Sequence, residues 1–298
     1  MNRPPRCLLA ILAIAAGCAS TSALATPAPM GPGSTIAPAV SRAHASGPRF
    51  WYDAQLPLGR PAAESLLNDN GSPRILDASH YQRFWRDLAP SLSEWAADPR
   101  LRLNPNFVAA LMAKESGFDP LATSGVPANG IAQMTHIADL DLQIISRETA
   151  AFRWMHDEVR RWPRSAVVHD SAARERRTDS LLASGRLGPR TEYLFDPRLS
   201  QRASMFWLRI LATIWTDDEW PGQHGALARS KLAGGNSLSE DDLLALVTVS
   251  YNQGHPYAAD LVRRHGREWR RHLNPESKDY LERVTRFTEI FQRAERAR

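Results

Sequence analysis

Apolar residues recur at helical spacing in several long segments, and this periodicity constrains the fold of the chain more than any other feature. The segment 199–215 carries one continuous apolar stripe, and 241–251 (DDLLALVTVSY) is almost entirely apolar after its acidic start. A helix that is apolar on most sides belongs inside a helical core. Convincing alternation of apolar and polar residues never lasts more than a few positions. We therefore predict a mainly α fold.

Other segments show the same helical spacing less strongly. We predict further helices at 80–97 (bent at Pro90), 145–162 and 277–292 (capped by Ser277). The aromatic and proline residues of 50–70 indicate an ordered arm packed on the domain surface. The segment 165–190 has weak periodicity, so we expect a long exposed excursion there.

Residues 104–120 (NPNFVAALMAKESGFDP) form a predicted helix with clear signals at both ends. Asn104 is a favourable N-cap, and Pro105 suits the first helical position because its missing N–H costs nothing there. Gly117 is expected to end the helix, and Pro120 prevents the chain from resuming it.

Glu115 is the ionisable residue on one face of this helix, which it shares with Val108, Leu111 and Met112. A carboxyl group held against apolar neighbours has its charged form disfavoured, so its pKa is expected to rise. Such a group can deliver a proton near neutral pH. The alternative is a glutamate at a fraying helix end that turns into water.

The first 25 residues are predicted to be a targeting segment, with Arg3 and Arg6 before the apolar run 8–16. Two cleavage sites compete. The sequence AAGC at 15–18 is similar to a bacterial lipobox, in which Cys18 would become the lipidated first residue. The tripeptide ALA at 23–25 is an ordinary signal-peptidase site. We expect export to the periplasm, and the lipobox alternative implies an outer-membrane lipoprotein.

The segment 26–48 is rich in Pro, Ala, Ser and Gly and is expected to be a flexible tether. The mature domain would then cover 49–298, with a helical arm at 49–100. Cysteine is absent beyond Cys18, which excludes a disulfide, thiolate chemistry and cysteine-based zinc sites in that domain.

Several other chemistries lack their residues. The chain has neither HExxH nor Gly-x-Ser-x-Gly, and its 9 histidines are scattered, so we expect no metal and no cofactor. The loop 122–135 lacks the Lys-Ser/Thr of a phosphate loop. A formal charge of +5 suits an anionic partner without selecting one, and export argues against nucleic acid.

Five segments of the sequence resemble motifs of the soluble lytic transglycosylase domain, glycoside hydrolase family 23, which has a lysozyme-like α fold. The family's patterns are E-S-x-[FW]-[DN]-P, S-P-x-G-A-x-G-L-M-Q, D-P-x-x-N-I, A-Y-N-A-G and E-T-R-x-Y-V. The corresponding segments occur here in the same order, as ESGFDP at 115–120, Ser124 with GIAQ at 130–133, FDPRL at 195–199, YNQG at 251–254 and ESKDYL at 276–281.

The resemblance implies that Glu115 is the single catalytic acid and base of an enzyme that cleaves peptidoglycan glycan strands. The bond would be the β-1,4 link from N-acetylmuramic acid to N-acetylglucosamine, and the product a 1,6-anhydro sugar. Ser124, Gln133, Tyr251 and Glu276 match positions that contact the sugar or lie in the groove. The alternative for Ser124 and Gln133 is hydrogen bonding within their own loop. The alternative for Tyr251 is an aromatic residue of the core, and that for Glu276 is an acidic residue at a helix start.

The chain also departs from the family pattern. Ile131 and Ala132 replace the family's Leu-Met, His136 replaces a proline, and Ser250 replaces an alanine. Gln133 and Asp196 are 63 positions apart, which predicts an insertion at 145–190. Two other functions stay open: a lysozyme-type muramidase that lets water attack, and a non-catalytic scaffold that binds the cell wall.

Overall fold

The computed structural model describes residues 50–51, 58–66, 77–124, 128–162 and 192–297, which all lie in the unit Ser46–Arg298. Helices dominate these ranges, which confirms the predicted mainly α fold. In chain order the α-helices are α1 (Ala78–Arg83), α2 (Ala89–Ala96), α3 (Pro105–Ser116), α4 (His136–Glu148), α5 (Arg153–Val159), α6 (Pro197–Thr216), α7 (His224–Leu232), α8 (Glu240–Gln253), α9 (His255–His265) and α10 (Pro275–Arg296).

Shorter elements connect these helices. Short 3-10 helices cover Ala63–Leu66, Ala150–Phe152, Glu192–Phe195 and Gly266–His272. Two antiparallel strands of two residues each, β1 (Ala128–Asn129) and β2 (Met134–Thr135), form a hairpin inside the predicted loop 122–135.

The helix α3 lies at the centre of the core. Every residue from Pro105 to Ala113 is buried, so α3 is covered on all sides. The spacing of its apolar residues had indicated burial along one face only. Its ends match the prediction: Oδ1 of Asn104 accepts the backbone N–H of Asn106 at 2.9 Å, and Gly117 adopts a left-handed φ of 61°. The helix α10 packs along α3.

The segment 80–97 is helical, as predicted, with an irregular turn directly before Pro90. A π-helical turn, Phe84–Leu88, separates α1 from α2. Pro90 follows in the first turn of α2. A proline ring clashes with the carbonyl group four residues earlier, here that of Arg86 inside the π turn, which gives a physical reason for the irregularity at this place.

The prediction of one helix over 145–162 was wrong. The helix α4 begins earlier, at His136, and ends at Glu148, and Thr149 has an extended backbone with φ −98° and ψ 116°. The 3-10 turn Ala150–Phe152 follows, and α5 begins at Arg153. The apolar spacing continues across this break because Met155 and Val159 are also buried, so periodicity alone did not reveal it.

The helices α6 and α8 confirm the two strongest predictions. They pack against each other in the core, and Nε1 of Trp215 donates a hydrogen bond of 2.9 Å to Oγ of Ser250 between them. The helices α7 and α9 were not predicted. Gly254, with a φ of 86°, joins α8 directly to α9, so the YNQG segment ends one helix and leads into another.

The helix α10 confirms the last predicted helix but not its cap. Asn274 is the N-cap, and its Oδ1 accepts the backbone N–H of Ser277 at 2.7 Å. Pro275 explains the difference, because it favours the first helical position and an extended residue before it. Ser277 is instead fully buried inside the first turn.

The start of the predicted arm lies in the core and not on the surface. Phe50 is fully buried, and Trp51 forms a single β-bridge with Leu103. The backbone N–H groups of Phe50 and Trp51 both donate to Oε2 of Glu240, at 2.9 and 3.1 Å. The carboxylate of α8 therefore anchors the point where the arm enters the domain.

Several predictions fall on residues outside the described ranges. These are the targeting segment 1–25 with Cys18, the tether 26–48, the excursion 165–190 and parts of the arm. Of the predicted insertion 145–190, the described ranges include residues 145–162. Of the helices in the described part, none combines the length and the hydropathy that a bilayer span needs.

Candidate functional site

Glu115 lies in the last turn of α3, at the edge of the buried part of that helix. Its side chain is half-buried, whereas the residues of α3 from Pro105 to Ala113 are buried. The chain turns sharply after it, because Gly117 and Phe118 both have positive φ angles, 61° and 66°. The ring of Phe118 stacks on that of Phe84 at 4.0 Å and fixes this turn against the π-helical segment.

Tyr280 of α10 contacts the carboxyl group of Glu115 directly. Its hydroxyl donates a hydrogen bond to Oε1 of Glu115. Burial raises the pKa of the Tyr280 phenol well above its usual value, and the neighbouring charge of Glu115 adds to this effect. Tyr280 is therefore protonated at neutral pH and donates this hydrogen bond.

Tyr280 was not among the predicted site residues, although it lies in the last predicted helix, 277–292. It is buried, with 3% of its surface exposed, but its hydroxyl reaches the carboxyl group of Glu115. Its position inside the ESKDYL segment, 276–281, was the signal that could have identified it. A tyrosine on an apolar helix face needs a partner for its hydroxyl, and here the partner is Glu115.

Tyr251, at the end of α8, is a second tyrosine near Glu115. Its hydroxyl donates to the carbonyl oxygen of Ala132 at 2.8 Å, so it holds the GIAQ loop and not Glu115. Burial raises the pKa of Tyr251 well above its usual value, and the charge of Glu115 contributes. Tyr251 is thus close enough to Glu115 for an electrostatic interaction, although its hydroxyl is bonded to Ala132.

The GIAQ loop is held against α3 from a second direction. Oγ of Ser116 donates a hydrogen bond of 2.7 Å to the carbonyl oxygen of Ile131. Gly130 has a φ of 75°, and a Cβ at this position would lie 1.8 Å from the carbonyl oxygen of Leu194. Only glycine allows the loop to pass this close to the 3-10 helix before α6.

Gln133 uses its side chain within the loop. Its Nε2 donates to the carbonyl oxygens of Ala122 and Gly130, at 2.8 and 2.9 Å. Its backbone has a φ of 48°, which is uncommon for a residue other than glycine. The two bonds stabilise this unusual turn. They are hydrogen bonds within the loop, which the sequence analysis had given as the alternative to a sugar contact.

Ser124 lies at the edge of the same loop. Its backbone N–H donates to the carbonyl oxygen of Ala128 at 3.1 Å, and the residue is half-buried. Residues 125–127, which follow it, are outside the described ranges. Ser124 therefore belongs to the loop that Tyr251 and Ser116 hold beside Glu115.

Glu276 is exposed in the first turn of α10, where a negative charge is favourable. Nδ2 of Asn252 lies 3.4 Å from its Oε1, and Oδ1 of Asn252 accepts a hydrogen bond of 3.3 Å from Ser277. Asn252 thus links the YNQG segment to the start of α10. Glu276 joins the wider site through Asn252.

The described residues contain no group of three or more His, Cys, Asp or Glu side chains that could hold a metal ion. The chemistry that the geometry provides is that of one carboxyl group with a permanent hydrogen-bond donor on one oxygen. Such an arrangement can give a proton to a bound molecule and take one back.

Comparison with known proteins adds one finding. Residues 94–151 match the family model described as Transglycosylase SLT domain. The match covers less than half of the chain, but it includes Glu115, Ser124 and Gln133. It supports a relationship of this segment to lytic transglycosylases and lysozyme-like proteins, and at the family level it indicates peptidoglycan lytic transglycosylase activity. No curated protein and no solved structure matches the chain significantly.

Proposed function

We propose that the chain is a peptidoglycan lytic transglycosylase of glycoside hydrolase family 23. It would cleave the β-1,4 bond from N-acetylmuramic acid to N-acetylglucosamine and leave a 1,6-anhydromuramic acid end. The observation that carries the proposal is the half-buried carboxyl group of Glu115 with the Tyr280 hydroxyl on its Oε1. The family match over 94–151, which spans Glu115, gives independent support.

In the first step, protonated Glu115 donates its proton to the glycosidic oxygen. The bond from this oxygen to the anomeric carbon breaks, and positive charge develops on the muramic acid ring as in other glycosidases. The Tyr280 hydroxyl on Oε1 would hold the carboxyl group in place during this transfer.

In the second step, the Glu115 carboxylate accepts the proton of the muramic acid's own 6-hydroxyl. The 6-oxygen forms a bond to the anomeric carbon, and Glu115 returns to its protonated form. Tyr280 stays protonated in both steps and donates more strongly to the carboxylate than to the neutral acid. It thus stabilises Glu115 in the interval between its two proton transfers.

This scheme needs only one carboxyl group. Ordinary glycosidases use a second one as nucleophile or to activate water. Here the nucleophile is part of the substrate, which provides the high effective concentration of an intramolecular attack. The carboxyl group of Glu115, with the Tyr280 hydroxyl on one of its oxygens, is consistent with a mechanism that uses one carboxyl group.

The remaining predicted residues would shape the groove. We assign Ser124 and Gln133 to the loop that faces the sugar, with Gln133 acting mainly through its bonds to Ala122 and Gly130. Tyr251 would hold that loop through Ala132. Glu276 would line the groove beyond Asn252, where its exposed carboxylate can reach polar groups of the glycan strand.

We propose the periplasm as the site of action, because the substrate lies there and the N-terminal 25 residues have the pattern of an export signal. Of the two predicted cleavage sites, we favour the lipobox, which would attach the protein to the outer membrane through a lipidated Cys18. Intact-mass measurement of the mature protein tests it. A lipidated N-terminus at Cys18 supports the anchor, and an unmodified N-terminus at Thr26 refutes it.

The reaction is tested by digestion of purified peptidoglycan and mass spectrometry of the soluble products. The proposal predicts muropeptides that end in 1,6-anhydromuramic acid, which are lighter by one water than hydrolytic products. Reducing ends would refute transglycosylation and support a muramidase. Wall binding without any soluble product would support the scaffold alternative.

A further inference from the structure

Lys114 directly precedes Glu115 in the last turn of α3, and its side chain contacts the partner of Glu115. Its Nζ lies 4.9 Å from the centre of the Tyr280 ring, in cation–π geometry. The same tyrosine donates its hydroxyl to Oε1 of Glu115. Two neighbouring residues of α3 therefore hold one residue of α10, one through its ring and the other through its hydroxyl.

The two contacts act on different parts of Tyr280. The hydrogen bond to Glu115 fixes the phenol oxygen, while a cation over the face of the ring restricts the ring plane. Lys114 is half-buried as a residue, and the ring of Tyr280 is buried. A cation–π contact is stronger where its groups are less exposed to water. The orientation of the hydroxyl then depends on Lys114 as well as on Glu115.

We propose that Lys114 is a positioning residue for the reaction, acting through the ring of Tyr280 to hold the hydroxyl on Oε1 of Glu115. This inference rests on the proposed function, in which Glu115 gives and then regains a proton. It assigns to Lys114 a contribution to the chemical step and none to binding of the glycan strand.

The contribution grows as the reaction proceeds. When Glu115 gives up its proton, it becomes negatively charged, and the Lys114 ammonium over the Tyr280 ring attracts that charge. An interaction that strengthens only after proton transfer raises kcat and leaves KM unchanged. Loss of Lys114 should therefore lower kcat selectively.

The test compares Lys114→Met, Lys114→Arg and wild type in steady-state assays of anhydromuropeptide release, with Lys231→Met as the control. Methionine keeps the length of the side chain without its charge, whereas arginine retains a cation that can lie over the ring. Lys231 is an exposed lysine on α7 and has no assigned role. Thermal unfolding of each variant checks that the fold is intact.

We expect Lys114→Met to lower kcat about tenfold with KM unchanged, and Lys114→Arg to recover most of the loss. Lys231→Met should match wild type. An unchanged kcat in Lys114→Met refutes the positioning role and leaves the proposed function standing, as does an arginine variant that is no better than methionine. A raised KM with normal kcat refutes it too, because it would indicate substrate binding. A wild-type protein without any activity would refute both proposals.

Discussion

The hydroxyl of Tyr280 donates a hydrogen bond to the carboxyl group of Glu115, although 165 residues separate them in the chain. The contact exists because α10 packs along α3, with Glu115 in the last turn of α3 and Tyr280 in the second turn of α10. A hydrogen bond to a charged group is among the stronger ones in proteins. It joins the two helices at the point where the proposed chemistry occurs.

Replacement of Glu115 by glutamine should abolish catalysis without unfolding the protein. The amide keeps the shape of the carboxyl group and can still accept the Tyr280 hydroxyl, but it has no proton to give. General acid–base catalysis typically contributes 100- to 10,000-fold, so we expect the rate of anhydromuropeptide release to fall by about 1,000-fold or more. The melting temperature should change by about 2 °C at most.

Glu94→Gln is the matched control for this variant. Glu94 is an exposed glutamate on α2, and its replacement should leave the rate of anhydromuropeptide release unchanged. Normal lysis by the Glu115→Gln protein would remove Glu115 from the mechanism and, with it, the proposed roles of Tyr280 and Lys114.

Tyr280→Phe should slow the reaction while the ring contacts persist. Phenylalanine retains the packing and the cation–π contact with Lys114, and only the hydroxyl on Oε1 of Glu115 is lost. A hydrogen bond to a charged group contributes about 1.5–3 kcal/mol, so kcat should fall about 10- to 100-fold. Steady-state kinetics on purified glycan strands measure this.

Tyr81→Phe provides the comparison for this loss. The Tyr81 hydroxyl is also buried and donates to the carbonyl oxygen of Pro61, outside the proposed site. We expect this variant to lose some stability and to keep its kcat. Equal effects of the two changes on kcat would mean that the Tyr280 hydroxyl acts through general stability and not through Glu115.

Local signals in the sequence predicted the helix that carries Glu115 correctly. Asn104 and Gly117 act over one helical turn, so the residues themselves determine where α3 begins and ends. The break at Thr149 was missed because the apolar spacing continues across it. The cap of α10 was misplaced by three residues because Pro275, and not Ser277, sets its start.

The partners of the site residues could not be predicted in the same way. The bond from Tyr280 to Glu115 depends on how α10 packs along α3, and a face of a helix does not reveal which distant group it meets. The bonds of Gln133 depend on the positive φ of its own backbone, which turns the amide back into the loop. The motif order predicted which segments contribute to the candidate site, and only the packing showed these contacts.

Gly130→Ala should disrupt the loop beside Glu115. Its Cβ would lie 1.8 Å from the carbonyl oxygen of Leu194. This oxygen belongs to the backbone, so it cannot move aside without a shift of the main chain. We expect a loss of about 2–5 kcal/mol in the free energy of unfolding, from the clash together with the strain at a φ of 75°. Urea unfolding measures the loss, and the rate of anhydromuropeptide release should fall with it.

Gly235→Ala separates the clash from the backbone strain. Gly235 also has a positive φ, 91°, but nothing lies within 4 Å of a Cβ built there. Its replacement should cost about 1 kcal/mol, which is the conformational penalty alone. A Gly130→Ala protein as stable as the Gly235→Ala protein would show that the loop can move away from Leu194.

Asp139 of α4 should make the stability of the protein depend on pH. It is 3% exposed, and burial raises its pKa to about 6, against the opposing effects of hydrogen bonds from Tyr193 and Gln143 and of the nearby His136. The folded protein therefore keeps this proton at pH values where the unfolded chain has released it. Through this group, the free energy of unfolding should fall as the pH rises from about 4 to about 6.

The Asp139→Asn variant tests this dependence, because an amide can accept the Tyr193 hydroxyl and never ionises. A shift of about two pKa units corresponds to about 3 kcal/mol, so the variant should be more stable than wild type by up to that amount at pH 7 and similar at pH 4. Burial also raises the pKa of Asp141 on the same helix to about 6, and Asp141→Asn isolates its share. Urea unfolding between pH 4 and 7 that gives parallel curves for wild type and Asp139→Asn would assign the pH dependence to other groups.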